Sequence, residues 1–179
     1  MGVAKLWHRR RGRASRPRPH LASAPSSLSE EEGEAYRLVG ALVTIKISAD
    51  DTAGLDIESR PGVGSPWHVH RDEDERFYVH DGECEVYIGD AHRTLAAGGL
   101  AFGPKGVPHT FFAGPNGGKM LVWARGAKFE GFLREIAEPA TQHVVPPPPE
   151  DPPDIDRLVP IADKWAYDIL GPPGPPPGR

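Results

Sequence analysis

Four side chains with metal-ligand chemistry lie near one another in the middle of the sequence. His68 and His70 are two residues apart, which on a β-strand places both imidazoles on the same face. Glu75 follows five residues later, and His109 begins another apolar stretch directly after Pro108. Three neutral imidazoles and one carboxylate that converge inside a small barrel form a site for a divalent transition metal with open coordination positions. An isolated His-x-His pair, however, is more often a surface feature, so the pair alone leaves both interpretations open.

The elements that must position these side chains are predicted to be short β-strands. Apolar and polar residues alternate from Tyr36 to about Arg125, and turns that contain Gly or Pro interrupt the alternation at short intervals. This rhythm is typical of an antiparallel sandwich or barrel. The predicted strands are 42–47, 55–58, 76–80, 83–88, 100–102, 109–112 and 119–124, with a hairpin turn at Asp81-Gly82.

The positions of side chains on these strands predict which residues face the interior of the barrel. A barrel lined by aromatic rings suits a planar or apolar organic substrate. The aromatic residues expected to face inward are Trp67, Phe77, Phe102, Phe111, Phe112 and Trp123. Cys84 shares a strand face with Val86 and Ile88 and is interpreted as a small core residue. The remaining histidines are interpreted as bystanders: His8, His20, His80, His92 and His143.

The two ends of the chain differ from this β-rich middle. Residues 1–28 contain seven Lys or Arg, no acid and no apolar periodicity, which predicts a disordered basic tail. A transit peptide or a basic binding arm is an alternative interpretation of that tail. Residues 29–138 are predicted to form the barrel and a following helix over 128–138. Residues 139–179 hold 13 of the 21 prolines and predict a Pro-rich linker, followed by an amphipathic helix over 156–170 that docks back on the barrel.

Composition excludes several classes of protein. The 179 residues suit one domain, and no apolar run is long enough to cross a membrane as a helix. The single cysteine excludes a disulfide framework and a Cys-rich zinc module. Outside the basic tail, 14 basic and 25 acidic residues give a net charge of −11, which disfavours nucleic acid as a partner. No secretory signal is evident, and the protein is expected to be cytoplasmic.

Glycine and proline positions around the four candidate ligands strengthen the metal interpretation. The pattern Gly62-x5-His68-x-His70-x4-Glu75-x6-Gly82 resembles the first cupin motif at every position. A second pattern, Gly98-x5-Pro104-x-Gly106-x2-His109, resembles the second cupin motif up to its final residue. At that final place the family often has Asn, whereas this chain has Ala113. The chain therefore resembles a small single-domain cupin.

This resemblance implies an all-β fold, the cupin jelly-roll barrel of antiparallel strands, with a short C-terminal helical extension. It implies that His68, His70, Glu75 and His109 hold one divalent transition metal: Fe, Mn, Ni, Co or Cu. The carboxylate register is less constrained than the histidines, because some family members use a spacing that is one residue shorter. Glu73 and Asp74 are therefore alternatives to Glu75.

The sequence of residues 65–79 resembles that of cupins grouped as quercetin 2,3-dioxygenase-like. That resemblance implies an oxidoreductase, an oxygen-dependent dioxygenase that acts on a small phenolic or dicarbonyl compound, with Glu75 as a catalytic base. The alternative is a metal-dependent cupin without oxygenase activity, such as an isomerase, a lyase or a small-ligand-binding protein. The expected partners are a small organic substrate and a second copy of the chain in a homodimer, with no nucleic acid and no membrane.

Overall fold

The computed structural model describes residues 27–49 and 52–175. This part of the chain forms ten strands and two helices, and every strand pair is antiparallel. In chain order they are β1 (Glu34–Leu38), β2 (Ala41–Ala49), β3 (Thr52–Ser59), β4 (Trp67–His70), β5 (Glu75–Ile88), β6 (Ala91–Ala96), β7 (Leu100–Gly103), β8 (His109–Ala124), α1 (Lys128–Ile136), β9 (Glu138–Pro139), α2 (Ile155–Lys164) and β10 (Tyr167–Gly171). The fold is the all-β jelly roll that was predicted.

The two longest strands, β5 and β8, organise the barrel. They pair along most of their length, and each contacts different neighbours in its two halves. The first half of β5 pairs with β7 and its second half with β6, while the first half of β8 pairs with β4 and its second half with β3. Three of the remaining strands extend outward from β3 in the order β2, β1, β9, and β10 lies beside β4. Both long strands therefore bend and connect the two sides of the jelly roll.

The predicted hairpin turn at Asp81-Gly82 was wrong, because β5 continues through it. The pairing of β5 with β8 shifts register on either side of Asp81 and Gly82, so a β-bulge occupies the place of the turn. Gly82 has φ 65°, and a Cβ there would lie 2.4 Å from the carbonyl oxygen of Gly117. A glycine that adopts positive φ serves a bulge as well as a turn, so the sequence signal was the same for both. The separate strands 109–112 and 119–124 are likewise joined in β8.

Residues of β1, β2, β3, β5, β8 and α1 form the hydrophobic core. Its largest fully buried apolar side chains are Phe77, Leu55, Met120, Val79, Val122 and Leu133. Of the six aromatic residues predicted to face inward, only Phe77 and Phe111 belong to this core. Phe102 is 47% exposed and its ring lies beneath the Arg76 guanidinium. Strand side chains alternate between faces, so Phe111 and its neighbour Phe112 cannot both point inward.

A close approach at Gly64 fixes the loop before β4 against β8. A Cβ at this position would lie 1.9 Å from the carbonyl oxygen of Phe111 and 2.5 Å from the Cα of Phe112. Both contacts are with backbone, so Gly64→Ala is expected to lower the free energy of unfolding by about 1–3 kcal/mol. Urea denaturation measures this loss. Gly171→Ala is the matched control, since nothing lies within 4 Å of its added Cβ, and equal stability of the two variants would contradict the prediction.

The cysteine is buried in the core, as its strand face predicted. Cys84 is 1% exposed. Burial, with smaller contributions from the charges of Glu83 and Glu85, raises the pKa of its thiol to about 12. We expect no labelling of the folded protein by a thiol reagent at pH 8 and one labelled thiol per chain in guanidinium chloride. Labelling of the folded protein at the rate of a free thiol would contradict this expectation.

The C-terminal helix is shorter than predicted. It was expected over 156–170, but α2 ends at Lys164 and the chain then forms β10, which pairs with β4. The change occurs at Ala166, whose φ of 66° is left-handed and ends the helix. Glycine usually marks such an end, and alanine carries no comparable signal. The helix begins at Ile155, and the side chain of the N-cap residue Asp154 accepts a hydrogen bond from the Arg157 N–H.

Contacts with α1 hold this C-terminal segment on the barrel. Trp165 packs so closely over Gly131 that a Cβ there would lie 2.2 Å from the indole ring. Its Nε1 donates to Glu135 Oε2 at 2.8 Å.

Residues 1–26 of the predicted basic tail lie outside the described residues, so its disorder stays a prediction. Among the described residues, no helix has the length and apolar character that crossing a membrane requires.

Candidate metal centre

The structure brings the four predicted ligands together inside the barrel. His68 and His70 lie on β4, Glu75 begins β5 and His109 begins β8, where it is the register partner of His68. One ligand atom from each residue lies within 4.8 Å of the others. His70, Glu75 and His109 are each 1% exposed, and the side chain of His68 is 12% exposed. No second group of this kind occurs in residues 27–49 and 52–175.

Glu75 Oε2 lies at the centre of the cluster. Its distances to Nε2 are 2.9 Å for His109, 3.4 Å for His70 and 3.9 Å for His68. The Nε2 atoms of His68 and His70 face each other at 3.0 Å. All three imidazoles therefore direct the same nitrogen toward one point beside one carboxylate oxygen.

Backbone carbonyls fix the orientation of two of the rings. His68 Nδ1 lies 2.8 Å from the carbonyl oxygen of Pro66, and His109 Nδ1 lies 2.9 Å from that of Val107. A carbonyl oxygen only accepts, so both Nδ1 atoms donate and carry a proton. In a neutral ring the lone pair is then on Nε2, which faces the cluster. Gly106, three residues before His109, has φ 76°, and its N–H donates to the His70 carbonyl oxygen at 2.8 Å.

The protonation states of His68 and His70 suit ligand chemistry. Burial, followed by the charge of His109, lowers the pKa of His68 to about 3. Burial also lowers the pKa of His70, with contributions from His68 and His109. For His109 burial acts in the same direction, but the hydrogen bond and charge of Glu75 outweigh it, and the pKa is raised. His68 and His70 are therefore neutral at pH 7, as metal binding requires.

The hydrogen bonding of His68 and His70 indicates whether a metal ion fits the cluster. His70 Nδ1 is buried and has no hydrogen-bond partner. If His70 carries its proton on Nδ1, that donor is unsatisfied and two Nε2 lone pairs face each other at 3.0 Å. If the proton is on Nε2, the buried Nδ1 is an acceptor without a donor. A cation between the Nε2 atoms removes the repulsion of the lone pairs, and the nitrogen and oxygen donor set suits a divalent transition metal. The cluster can hold such an ion.

The two alternative carboxylates lie elsewhere. Glu73 is buried but points away from the histidines: its Oε1 accepts the Lys128 N–H at 3.0 Å, and its Oε2 accepts the Tyr167 hydroxyl at 2.9 Å. Asp74 Oδ1 accepts the Lys105 N–H at 3.0 Å. Glu75 is therefore the carboxylate that joins the cluster. That these four residues bind a metal, and that Glu75 acts as a catalytic base, stay predictions.

Two of the remaining histidines form separate pairs on the surface. His80 Nε2 lies 2.8 Å from Asp56 Oδ1. His92 contacts Glu85, and its ring stacks on Tyr87 with centroids 4.1 Å apart. Neither belongs to the cluster, so both serve as controls for variants of the site. His8 and His20 lie outside the described residues.

Aromatic rings surround the cluster, and one of them was not foreseen. The edge of Phe77 contacts His109 and that of Phe129 contacts His70, with centroids 5.8 Å and 5.9 Å apart. Tyr167 packs against His70 at 4.2 Å. The sequence pattern predicts a helix over 156–170 that includes Tyr167 and indicates no role for this residue. Its residue type and position carried no signal, because its contact with His70 joins segments that are far apart in the chain.

This chain is similar to several known proteins. Residues 56–124 match the family model described as Cupin domain. An RmlC-like cupin from Shewanella frigidimarina is 23% identical, with 61% of this chain and 96% of that chain covered and a TM-score of 0.54. KdgF from Halomonas sp. is 20% identical, with 51% and 86% covered and a TM-score of 0.48. Oxalate decarboxylase from Bacillus subtilis is 21% identical, with 57% and 30% covered and a TM-score of 0.48.

No curated protein sequence gives a significant match to this chain. The matched residues 56–124 contain all four cluster residues and both glycine patterns from which the resemblance was inferred. The strands that carry the cluster also have the arrangement of a jelly roll. Residues 56–124 therefore match a cupin family model, and the described residues have the all-β jelly-roll fold of cupins.

Proposed function

We propose that this protein binds one divalent transition metal through His68, His70, Glu75 and His109 and uses it as an oxygen-dependent dioxygenase. The proposed substrate is a small phenolic or dicarbonyl compound. One observation carries the metal site: three imidazole Nε2 atoms converge on Glu75 Oε2 within 3.9 Å, and two of them face each other at 3.0 Å. The resemblance of residues 65–79 to quercetin 2,3-dioxygenase-like cupins supports the oxygenase part of the proposal.

The chain's own residues have distinct tasks in such a reaction. A bound divalent ion would act as a Lewis acid and lower the pKa of a coordinated substrate hydroxyl or enol. Glu75 is the one carboxylate of the cluster, and its Oε2 would accept the proton that this group loses. The three histidines keep their Nε2 atoms directed at the centre, and the rings of Phe77 and Phe129 shield it from water.

A second candidate is a metal-dependent cupin that is not an oxygenase, such as an isomerase or a lyase. The orientation of the aromatic residues favours it. Trp67, Phe102, Phe112 and Trp123 are absent from the buried core, so fewer rings than expected are available to select a planar substrate. The same four ligand residues would then serve a proton transfer or an elimination in which Glu75 is the base.

Oxygen consumption separates the two candidates. The protein is loaded in turn with Fe(II), Mn(II), Ni(II), Co(II) and Cu(II), and each form is assayed with a panel of flavonols and β-diketones in an oxygen electrode. A dioxygenase consumes one O₂ per product molecule and transfers both atoms of ¹⁸O₂ to the product. Turnover that proceeds equally well without oxygen would replace the first candidate by the second. His109→Ala is the control for activity that does not depend on the cluster.

A further inference from the structure

The segment that contains β10 lies outside residues 56–124 and packs against one side of the cluster. Strand β10 pairs with β4 so that Tyr167 is the register partner of His70. The two rings are in contact, with centroids 4.2 Å apart and an interplanar angle of 52°. Tyr167 is 4% exposed, and the edges of Phe129 and Phe132 enclose its ring. The C-terminal segment therefore contacts a candidate metal ligand directly.

His70 needs this contact more than the other two histidines. The rings of His68 and His109 are each oriented by a hydrogen bond from Nδ1 to a backbone carbonyl oxygen. His70 Nδ1 has no hydrogen-bond partner. Metal-binding histidines usually have their second nitrogen fixed by a hydrogen bond, which sets the direction of the ligating atom. For His70, ring packing must supply that orientation, and Tyr167 is the aromatic ring nearest to it outside the cluster.

Tyr167 is itself held in place by a buried carboxylate. Its hydroxyl donates to Glu73 Oε2 at 2.9 Å, and Glu73 Oε1 accepts the N–H of Lys128 at the start of α1 at 3.0 Å. Glu73 is 4% exposed, so both of its hydrogen bonds are shielded from water. The Tyr167 ring thus has a fixed position relative to β4 and α1.

A second set of contacts fixes β10 beside His70. Arg71 follows His70 directly, and its N–H donates to the Ala166 carbonyl oxygen at 2.9 Å. Its guanidinium lies 2.9 Å from Asp163 Oδ1 and 2.9 Å from Asp168 Oδ1. The backbone and the side chain of the residue after His70 are therefore both tied to the segment that carries Tyr167.

From these contacts we infer that Tyr167 is a positioning residue of the metal centre, which orients the His70 imidazole by ring packing in place of a hydrogen bond. The C-terminal segment is then part of the site and not only a cover of the barrel. This inference rests on the proposed metal site. It assigns a role to a residue that lies outside residues 56–124.

The test measures Co(II) binding to the full chain. Affinity is obtained by competition with a chromophoric chelator, and the visible absorption of bound Co(II) reports the ligand geometry. Tyr167→Ala removes the ring, Tyr167→Phe keeps the ring without the hydroxyl, and Trp165→Ala is the matched control. Trp165 lies in the same segment but contacts Gly131 and Glu135.

We expect Tyr167→Ala to weaken Co(II) binding about 10- to 100-fold and to change the absorption spectrum. Tyr167→Phe should restore binding to within about threefold of the wild type and recover its spectrum, because the ring against His70 remains. Trp165→Ala should also stay within about threefold. If circular dichroism shows that Tyr167→Ala is unfolded, Tyr167→Leu replaces it, since leucine fills part of the space without presenting a ring.

Each other result overturns a defined statement. A wild-type protein that binds no Co(II) overturns the proposed metal site. A wild type that binds Co(II), with unchanged affinity and spectrum in Tyr167→Ala or Tyr167→Leu, overturns the role of Tyr167 and leaves the site intact. Equal losses in Tyr167→Ala and Trp165→Ala also overturn that role, because docking of the whole segment would then explain both.

Discussion

His109→Ala and His68→Ala will each lose binding of a divalent transition metal, whereas the wild type will bind about one ion per chain. Each substitution removes one of four ligand atoms that lie within 4.8 Å of one another. Changes to groups behind the ligands already cost about 10- to 100-fold in metal affinity, so the loss of a ligand is expected to exceed about 100-fold. Metal analysis of the purified protein and calorimetric titration measure the effect.

Two surface histidines provide the controls for this experiment. His80 is paired with Asp56, and His92 is paired with Glu85, away from the cluster. His80→Ala and His92→Ala should keep the metal content and affinity of the wild type. Full metal retention in both His68→Ala and His109→Ala would show that the cluster is not the binding site.

Glu75→Gln should have the second-largest effect, a loss of metal affinity of about 10- to 100-fold, together with loss of any activity. The Glu75 Oε2 atom lies within 3.9 Å of all three Nε2 atoms, so this oxygen is the natural fourth ligand. An amide keeps the shape of the side chain but removes the negative charge that a dication requires in a buried site. Titration with Co(II) compares the variant with the wild type.

The neighbouring acids test the register of the carboxylate. Asp74→Asn should bind metal as the wild type does, because Asp74 Oδ1 contacts the Lys105 N–H and not the histidines. Glu73→Gln should weaken metal binding much less than Glu75→Gln, since Glu73 contacts Lys128 and Tyr167 and no ligand. If Asp74→Asn proved the more damaging change, the assignment of Glu75 would be wrong by one residue.

The cluster could be predicted from the sequence because its residues occur at regular spacings on short, neighbouring segments. His68 and His70 alternate on one strand, and two spacings, from His70 and to Gly82, select Glu75 within an acidic run. The glycines that shape the turns lie at fixed distances from these residues. The jelly-roll fold followed from the same pattern and from the strand rhythm.

The wrong predictions of strand and helix boundaries concern backbone conformations that residue type alone does not distinguish. Gly82 has positive φ both in a hairpin and in the bulge that the structure contains, so the continuity of β5 was missed. Ala166 ends α2 in a left-handed conformation that its residue type does not predict. The contact of Tyr167 with His70 depends on strand pairing between distant segments, which spacing along the chain does not encode. The homodimer, the basic tail and the cytoplasmic location stay predictions.

The pairing of β4 with β10 also determines the order in which the site can be completed during folding. In the described residues β4 has one register partner on β8, His68 with His109, but four positions paired with β10. Its main hydrogen-bonding partner is therefore synthesised about one hundred residues after it. A nascent chain that has already folded its central strands would keep β4 as an exposed strand edge, open to pairing with other chains. Addition of β10 covers this edge of β4 in the same step that places Tyr167 beside His70, and β10 then becomes the edge strand of the sheet.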